Sequence, residues 1–569
     1  MTESQNSAMS SKTSHTYRLN KLRKKDTRPN ILLIMTDQQR SDTIHAAGAE
    51  FMQTPNLDAL IKGGRLYSNA YSPNPICMPA RHNMLTGLPA RYHGYPDNCW
   101  VFGLPSGLPT FPEILSDNGY ESRTIGKNHF YPPRRHNGYL NMELMQEVPA
   151  YREQDEYLEY LHENGLGHVL NIHGVRNLLY MVPQQSQIPE KHHGTTWVTN
   201  RAIDFIEKNN GRHPWLLKLG YIAPHPPFDV PKEYTDLYTG KNIPKPHISK
   251  TTLSSLAEES KLLGDLPTTE YVQRMRELYY AAISHIDANI GKLISSLKET
   301  HQFDNTLIVF TSDHGGMLGD YGTYQKWLPY DSCSKSPLIL HFPKRIKSGE
   351  ICEDFVDLND VLPTILDASN LEYSGKHTLP GESLLSSTQI KNRDLQYIEY
   401  SSGNRRWISM RNREYKYNYY FGGGREELFN LEIDPNECFN LMESSLNEKD
   451  EAEKEKLKLS LISYETKWGL PGTIENNSFI VLEPYVPNPY RNSAFPIFQE
   501  KLVKKDDRNT MNHHFDEIIS VIKDESVVNL SDLDLKNWQV NGNYSSEEID
   551  TLLEKERDNR AYKLKTNSV

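Results

Sequence analysis

Two short apolar runs, each ending at an aspartate, constrain this chain more than any other feature. Residues 30–36, Asn-Ile-Leu-Leu-Ile-Met-Thr, stand between Pro29 and the polar Asp37-Gln38-Gln39-Arg40. Thr306 to Phe310 repeats the design and ends at Thr311-Ser312-Asp313-His314-Gly315-Gly316. Continuous apolar runs this short predict strands buried on both faces, as in parallel sheets. Trp215 to Tyr221 and Ser336 to Phe342 predict further strands, while 196–208 and 271–298 carry apolar residues at helical spacing. Strands alternating with helices imply an α/β fold, a large and mainly parallel sheet flanked by helices. In such sheets ligands collect beyond the carboxyl ends of the strands, which is where this reading places Asp37 and Asp313.

The pattern changes near residue 390, so 29–390 reads as the main α/β domain and 391–470 as a smaller C-terminal α+β subdomain. There Trp407 to Met410 predicts a strand, and Tyr415 to Tyr420 runs into the glycine turn Phe421-Gly422-Gly423-Gly424. Glu427 to Leu431 and the turn at Asp434-Pro435 complete an antiparallel pattern. Residues 471–569 form a charged extension with helices expected near 514–523 and 546–557, the second opened by a capping box of Ser545 and Glu548. Residues 1–28 read as a basic tail, with Arg23, Lys24 and Lys25 but no apolar stretch of the kind a secretory signal needs. The expected location is therefore the cytoplasm, with a periplasmic or secreted protein as the alternative.

Charge narrows the partners. Among the 569 residues, 63 Lys and Arg against 74 Asp and Glu leave a net charge of −11. Such a surface repels nucleic acid, though a cleft inside it can still be positive and take a small anion. No apolar run approaches the ~18 residues of a membrane span, so no membrane association is expected. The five cysteines, at 77, 99, 333, 352 and 438, show neither a Cys-x-x-Cys pair nor zinc spacing. Nothing in the sequence sets the oligomeric state.

One of these cysteines stands where chemistry gathers. Cys77-Met78-Pro79-Ala80-Arg81 opens a short helical pattern that closes at Thr86-Gly87, with proline in the first turn and glycine after the last. A helix start favours anions, yet a lone cysteine is by itself usually core. The surrounding motifs reverse that balance. The segment resembles the signature of the formylglycine-dependent (type I) sulfatases of the alkaline phosphatase superfamily, Cys-x-Pro-Ser-Arg followed by Thr-Gly, with Ala80 at the usual serine. Gly126-Lys127-Asn128-His129 resembles the family's Gly-Lys-x-His, Pro224-His225-Pro226-Pro227-Phe228 its His-x-Pro-Phe element, and Lys326 the lysine downstream of Asp313-His314-Gly315. The likeness spans about residues 29–445.

The resemblance implies an alkaline phosphatase-like fold and a full set of roles. A maturation enzyme would oxidise Cys77 to formylglycine. Asp37, Gln38, Asp313 and His314, with the modified Cys77, would hold a divalent metal. Oxygen donors suit Ca²⁺, and the histidine nitrogen leaves Mn²⁺ or another metal open. Arg81, Lys127 and Lys326 would hold the sulfate oxygens, His225 with Lys326 would protonate the leaving oxygen, and His129 would act as the base that releases sulfate. Asn98 is a further polar contact.

The substrate class is read from 131–195, where Arg134, Arg135, His136, Arg176, His192 and His193 stand among tyrosines that could stack on a sugar ring. Sulfated oligosaccharides or polysaccharides, such as those of the alga-derived ulvan, are the expected substrates. A choline-sulfatase-like enzyme or a phosphonate monoester hydrolase is the alternative. Lys127 argues against the second. An inactive carbohydrate-binding protein on the same fold is the alternative outside enzymes.

Overall fold

Every residue of β1 (Asn30–Thr36) is buried, because apolar side chains leave it in both directions. Ile31, Leu33 and Met35 enter one hydrophobic core, while Leu32 and Ile34 enter a second on the opposite face. Burying each such side chain contributes roughly 1.5–3 kcal/mol, so a strand of this composition is stable only at the centre of a covered sheet. The computed structural model describes residues 27–99, 101–149, 154–169, 171–174, 183–209, 211–261, 269–385 and 393–487. Arg23, Lys24, Lys25 and Arg176 lie outside the described residues, as do the helices expected near 514–523 and 546–557 and their Ser545–Glu548 cap.

The further strands in chain order are β2 (Arg65–Tyr71), β3 (Glu121–Gly126), β4 (Asn141–Leu144), β5 (Pro183–Gln185), β6 (Trp215–Gly220), β7 (Phe228–Val230), β8 (Thr306–Ser312), β9 (Leu338–His341) and β10 (Glu350–Asp357). One sheet of eight runs in the order β10-β2-β9-β8-β1-β6-β3-β4. Its pairings are parallel except where β9 lies against β2 and β8. Helices Cys77–Thr86, Phe111–Asp117 and Val361–Ser369 cover the first face. Pro55–Gly63, Gly194–Asn209 and Thr269–Glu299 cover the second, the last through Ile286, Ile290, Leu293 and Leu297 at helical spacing. Among the described residues no helix is long and apolar enough to cross a membrane.

Parallel pairing decides where the polar residues go. Thr36 stands in register with Ser312, so Asp37 and Asp313 leave the sheet side by side. The carboxyl ends of β3, β4 and β6 open on that same edge, bringing with them the segments that follow Gly126, Leu144 and Gly220.

The C-terminal subdomain is an antiparallel sheet of β11 (Gln396–Tyr400), β12 (Trp407–Arg411), β13 (Tyr415–Tyr420) and β14 (Arg425–Asn430). Sequence pattern anticipated three of these strands but not β11, nor the helix Glu448–Trp468 that covers the outer face. That helix is charged on most sides and buries little beyond Leu457, Leu461, Ile462 and Trp468 among its apolar residues, too few for a clear stripe. The inner face packs Tyr400, Trp407 and Phe429 against Trp327, Leu328 and Tyr330 of the main domain. Trp407 Nε1 also donates to the Trp327 carbonyl at 2.8 Å, fixing the chain directly after Lys326.

Arg406 locks the subdomain together from within. Its side chain is 1% exposed, and Nη2 reaches Glu399 Oε2 at 2.8 Å and Glu465 Oε1 at 2.7 Å, joining sheet to helix. Removing one partner of a buried ion network leaves uncompensated charge, which typically costs about 3–5 kcal/mol. Arg406→Met is accordingly expected to lower the thermal unfolding midpoint of the protein followed by circular dichroism. An unchanged midpoint would show that the network contributes nothing net.

Candidate active site

The helix Cys77–Thr86 is unusual in burying all ten of its residues, including Arg81, His82 and Asn83. Gly87 closes it at φ 67°, a conformation that favours glycine. The spacing of four between Cys77 and Arg81 puts both on one helical face, directed at the edge where Asp37 and Asp313 emerge. Arg81 spreads its fork across that edge. Nε donates to Asp313 Oδ2 at 2.9 Å, Nη2 to Asp37 Oδ2 at 3.0 Å and Nη1 to the Lys127 carbonyl at 3.0 Å.

Around Cys77 the donors converge. Its Sγ lies 3.3 Å from His314 Nε2, 3.1 Å from Lys326 Nζ and 3.8 Å from Asp37 Oδ1. One ligand atom from each of Asp37, Cys77, Asp313 and His314 falls within 4.8 Å of the others, and all four residues are buried. The set fits a divalent cation on its chemistry. His314 Nδ1 donates to the Gly315 carbonyl at 2.7 Å, which leaves the Nε2 lone pair facing the cluster, and burial disfavours protonation of the ring. Gln38, at φ 64°, accepts from Lys326 Nζ at 3.1 Å through its side-chain oxygen, while its backbone N–H donates to Asp313 Oδ1 at 3.1 Å.

Burial and the Asp37 charge push the Cys77 thiol up to about 12, so at neutral pH it is no thiolate nucleophile. Burial alone would raise Asp37 and lower Lys127, but their neighbours prevail. Lys127, His225, Lys326 and Arg81 hold Asp37 well below its ordinary value, and Asp37 with Glu147 holds the Lys127 ammonium above its own. His225 donates from Nδ1 to the Pro226 carbonyl at 2.6 Å, which turns Nε2 to accept from Lys326 Nζ at 2.7 Å. Burial holds both His225 and His129 well below the usual imidazole value, with Lys127 and Lys326 acting the same way on His225 and Lys127 and Arg81 on His129.

Asn98 serves the site from beneath, its Oδ1 accepting the Met78 N–H at 3.0 Å at the start of the Cys77 helix. The cationic residues expected to read a sugar each meet a local neighbour. Arg134 pairs with Glu156 at 2.8 Å, and His136 donates to the Tyr139 carbonyl at 2.9 Å through Nδ1. Arg135 lies against Gly103. His192 bonds Tyr160, and His193 lies 3.5 Å from Asp229. None of these five is hydrogen-bonded to the Cys77 cluster.

Two residues escaped the sequence reading. Lys218, buried within β6, donates to the Lys127 carbonyl at 2.5 Å and to Asn128 Oδ1 at 3.0 Å. Burial and Arg81 keep its ammonium well below the ordinary value. A lysine inside the apolar run Trp215–Gly220 was the available signal. Glu147 follows β4 and reaches Lys127 and His225. A lone loop glutamate gives no signal at all.

Comparison with known families decides what this cluster belongs to. The family model described as Sulfatase matches residues 29–371, and one described as N-sulphoglucosamine sulphohydrolase, C-terminal, matches 319–465. The chain belongs to the sulfatase family. It is 31% identical to an arylsulfatase of Clostridium perfringens over 444 residues, covering 73% of this chain and 91% of that protein. A choline-sulfatase of Rhizobium meliloti is 30% identical, covering 75% and 84% respectively. An N-acetylglucosamine-6-O-sulfatase of Bacteroides thetaiotaomicron is 26% identical, covering 73% and 82%. In fold, the phosphonate monoester hydrolase of Agrobacterium radiobacter superimposes with a TM-score of 0.68 at 23% identity, over 80% of this chain and all of that one. This sulfatase is thus a sulfuric ester hydrolase on an alkaline phosphatase-like fold, from a family that works generally with a divalent metal and formylglycine.

The close approach of β3 and β6 sets the height of Lys127 above the cluster. Gly126 and Gly220 pair across these strands, and a Cβ on Gly220 would stand 2.0 Å from the Lys127 carbonyl. Gly220→Ala must therefore push that carbonyl, and with it Arg81 and Lys127, out of place. Displacements of about 1 Å can cost about 10²-fold in rate. We expect kcat/KM on an aryl sulfate to fall by at least ~10-fold with the circular dichroism spectrum unchanged; undiminished activity would show that this packing does not position the site.

Proposed function

We propose that this sulfatase hydrolyses sulfate monoesters of oligosaccharides, using formylglycine made from Cys77 and a Ca²⁺ ion held by Asp37, Gln38, Cys77, Asp313 and His314. The single observation that supports the reading best is the setting of Cys77. It stands buried, with a thiol too weakly acidic to attack, among Asp37, Asp313, His314, Arg81 and Lys326. Converted to a hydrated aldehyde, that position supplies a hydroxyl nucleophile and a route for expelling sulfate that serine or cysteine lacks.

The chain's own residues account for the rest. Arg81 orients Asp37 and Asp313 and holds the Lys127 loop. Lys127 and Lys326 offer ammonium charge to the sulfate oxygens from either side. Lys326 Nζ and His225 Nε2 share one proton across 2.7 Å, from which the departing sugar oxygen is supplied. His129, neutral and half-buried, takes the proton whose removal frees the enzyme for the next turn. Kinship with an N-acetylglucosamine-6-O-sulfatase supports a sugar ester. The similar identity to a choline-sulfatase supports the second reading, a small soluble ester.

The test is turnover by maturase-coexpressed protein of an aryl sulfate, of choline sulfate and of a panel of sulfated glycans that includes ulvan fragments. Mass spectrometry of the Cys77 peptide should show a loss of roughly 18 Da, as replacing the thiol carbon by an aldehyde requires. Cys77→Ala and chelation should each abolish turnover, and Ca²⁺ should restore the chelated enzyme. Full activity of unmodified or metal-free protein would refute the reading, and turnover confined to choline sulfate would select the smaller ester.

The two histidines divide the work and can be separated. His225→Ala should slow esters of poor leaving groups, such as sugar hydroxyls, by about 10²–10⁴-fold, while activated aryl sulfates suffer far less. His129→Ala should slow every substrate alike and produce a burst equal to the active-site concentration in stopped-flow assays. Equal leaving-group sensitivity in both variants, without a burst, would mean that the roles are wrongly assigned.

A further inference from the structure

Glu147 holds a position the sulfatase reaction does not require. It follows β4 at the open edge of the sheet, with its side chain 14% exposed, and its two carboxylate oxygens are aimed at different groups. Oε2 is paired with Lys127 Nζ, and Oε1 lies 3.6 Å from His225 Nε2. Lys127 also holds Asp37 Oδ2 at 2.6 Å, and His225 Nε2 meets Lys326 Nζ at 2.7 Å. The carboxylate thus bridges one group that would bind the sulfate oxygens and the group that would protonate the leaving oxygen.

A substrate anion entering between Lys127, Lys326 and His225 must displace Glu147 or share Lys127 with it. Either way a full negative charge borders the transferring group. Among the charged side chains, the three cations Arg81, Lys127 and Lys326 are matched by the three carboxylates Asp37, Asp313 and Glu147, so the charge of the metal proposed above is what draws an anion in. A sulfate monoester brings one negative charge against Glu147. A phosphate monoester, whose second ionisation lies near pH ~6, brings almost two at neutral pH and meets correspondingly greater repulsion from that carboxylate. Selectivity built on an unfavourable contact with the wrong ligand is a general device.

We propose that Glu147 is a specificity-determining residue that selects monoanionic over dianionic esters, setting the preference for sulfate over phosphate. The proposal rests on the sulfatase reading of the site, so the experiment reports the two separately. Wild-type turnover of 4-nitrophenyl sulfate tests the reading. The ratio of kcat/KM for 4-nitrophenyl phosphate to that for 4-nitrophenyl sulfate at pH 8, in wild type, Glu147→Gln and Glu147→Asp, tests Glu147. The leaving group is the same in both esters, so any defect in leaving-group protonation cancels.

Removing one unit of nearby charge should raise the phosphate-to-sulfate ratio of Glu147→Gln by about 10-fold or more, while Glu147→Asp, which keeps the charge, stays close to wild type. Competitive inhibition by inorganic phosphate, largely a dianion at pH 8, and by methanesulfonate, a monoanion, supplies a second readout that needs no turnover by the ester under test. Phosphate should gain on methanesulfonate by a comparable factor in Glu147→Gln alone. If Glu147→Gln alters both esters and both inhibitors by the same factor, or if Glu147→Asp matches it, Glu147 is no charge filter and the proposal is overturned.

Discussion

Asp37 and Asp313 are two carboxylates with no exposed surface, brought side by side by the parallel register of β1 and β8. Like charges in so dry a place are expensive, and most of the surrounding architecture compensates them. Arg81 bridges both, Lys127 pairs with Asp37, and backbone N–H groups of Gln38 and His314 donate to Asp313. The helix carrying Cys77 is buried throughout because its fourth residue after the cysteine has to reach this pair.

That demand explains features which otherwise look unrelated. The Lys127 carbonyl must face Arg81, so β3 and β6 end in paired glycines that allow the backbones to close, and the buried Lys218 amine holds the same carbonyl from below. Lys326 needs an equally firm seat. It receives one from the C-terminal subdomain, where Trp407 clasps the Trp327 carbonyl and Arg406 ties β11 to the helix Glu448–Trp468. The subdomain therefore supports the site through packing, even though none of the cluster residues belongs to it.

Much of this was legible in the sequence. Apolar runs ending in aspartate revealed the central strands because a doubly covered strand must be apolar on both faces, and family motifs singled out Cys77, Lys127, His129, His225 and Lys326. Helix Glu448–Trp468 escaped because few of its apolar side chains are buried, and β11 because Gln396–Tyr400 mixes polar with aromatic residues. Arg134, His136, His192 and His193 were singled out by composition, which shows nothing of their partners. In the fold Glu156, the Tyr139 carbonyl, Tyr160 and Asp229 meet them.

By itself the sequence determined the chemical inventory: which strands are central, which helix start carries the cysteine, and which acids, bases and cations accompany it. These follow from local periodicity and spacing. Tertiary structure alone decided their arrangement. It turned the Nε2 of His314 toward Cys77 and that of His225 toward Lys326, put Lys218 beneath the Lys127 loop and set Glu147 across Lys127 and His225. The reason is physical. Tautomer, burial and ion pairing depend on groups far apart in the chain, such as Gln38 and Lys326 at a separation of 288 residues, that meet only when the strands pair in register.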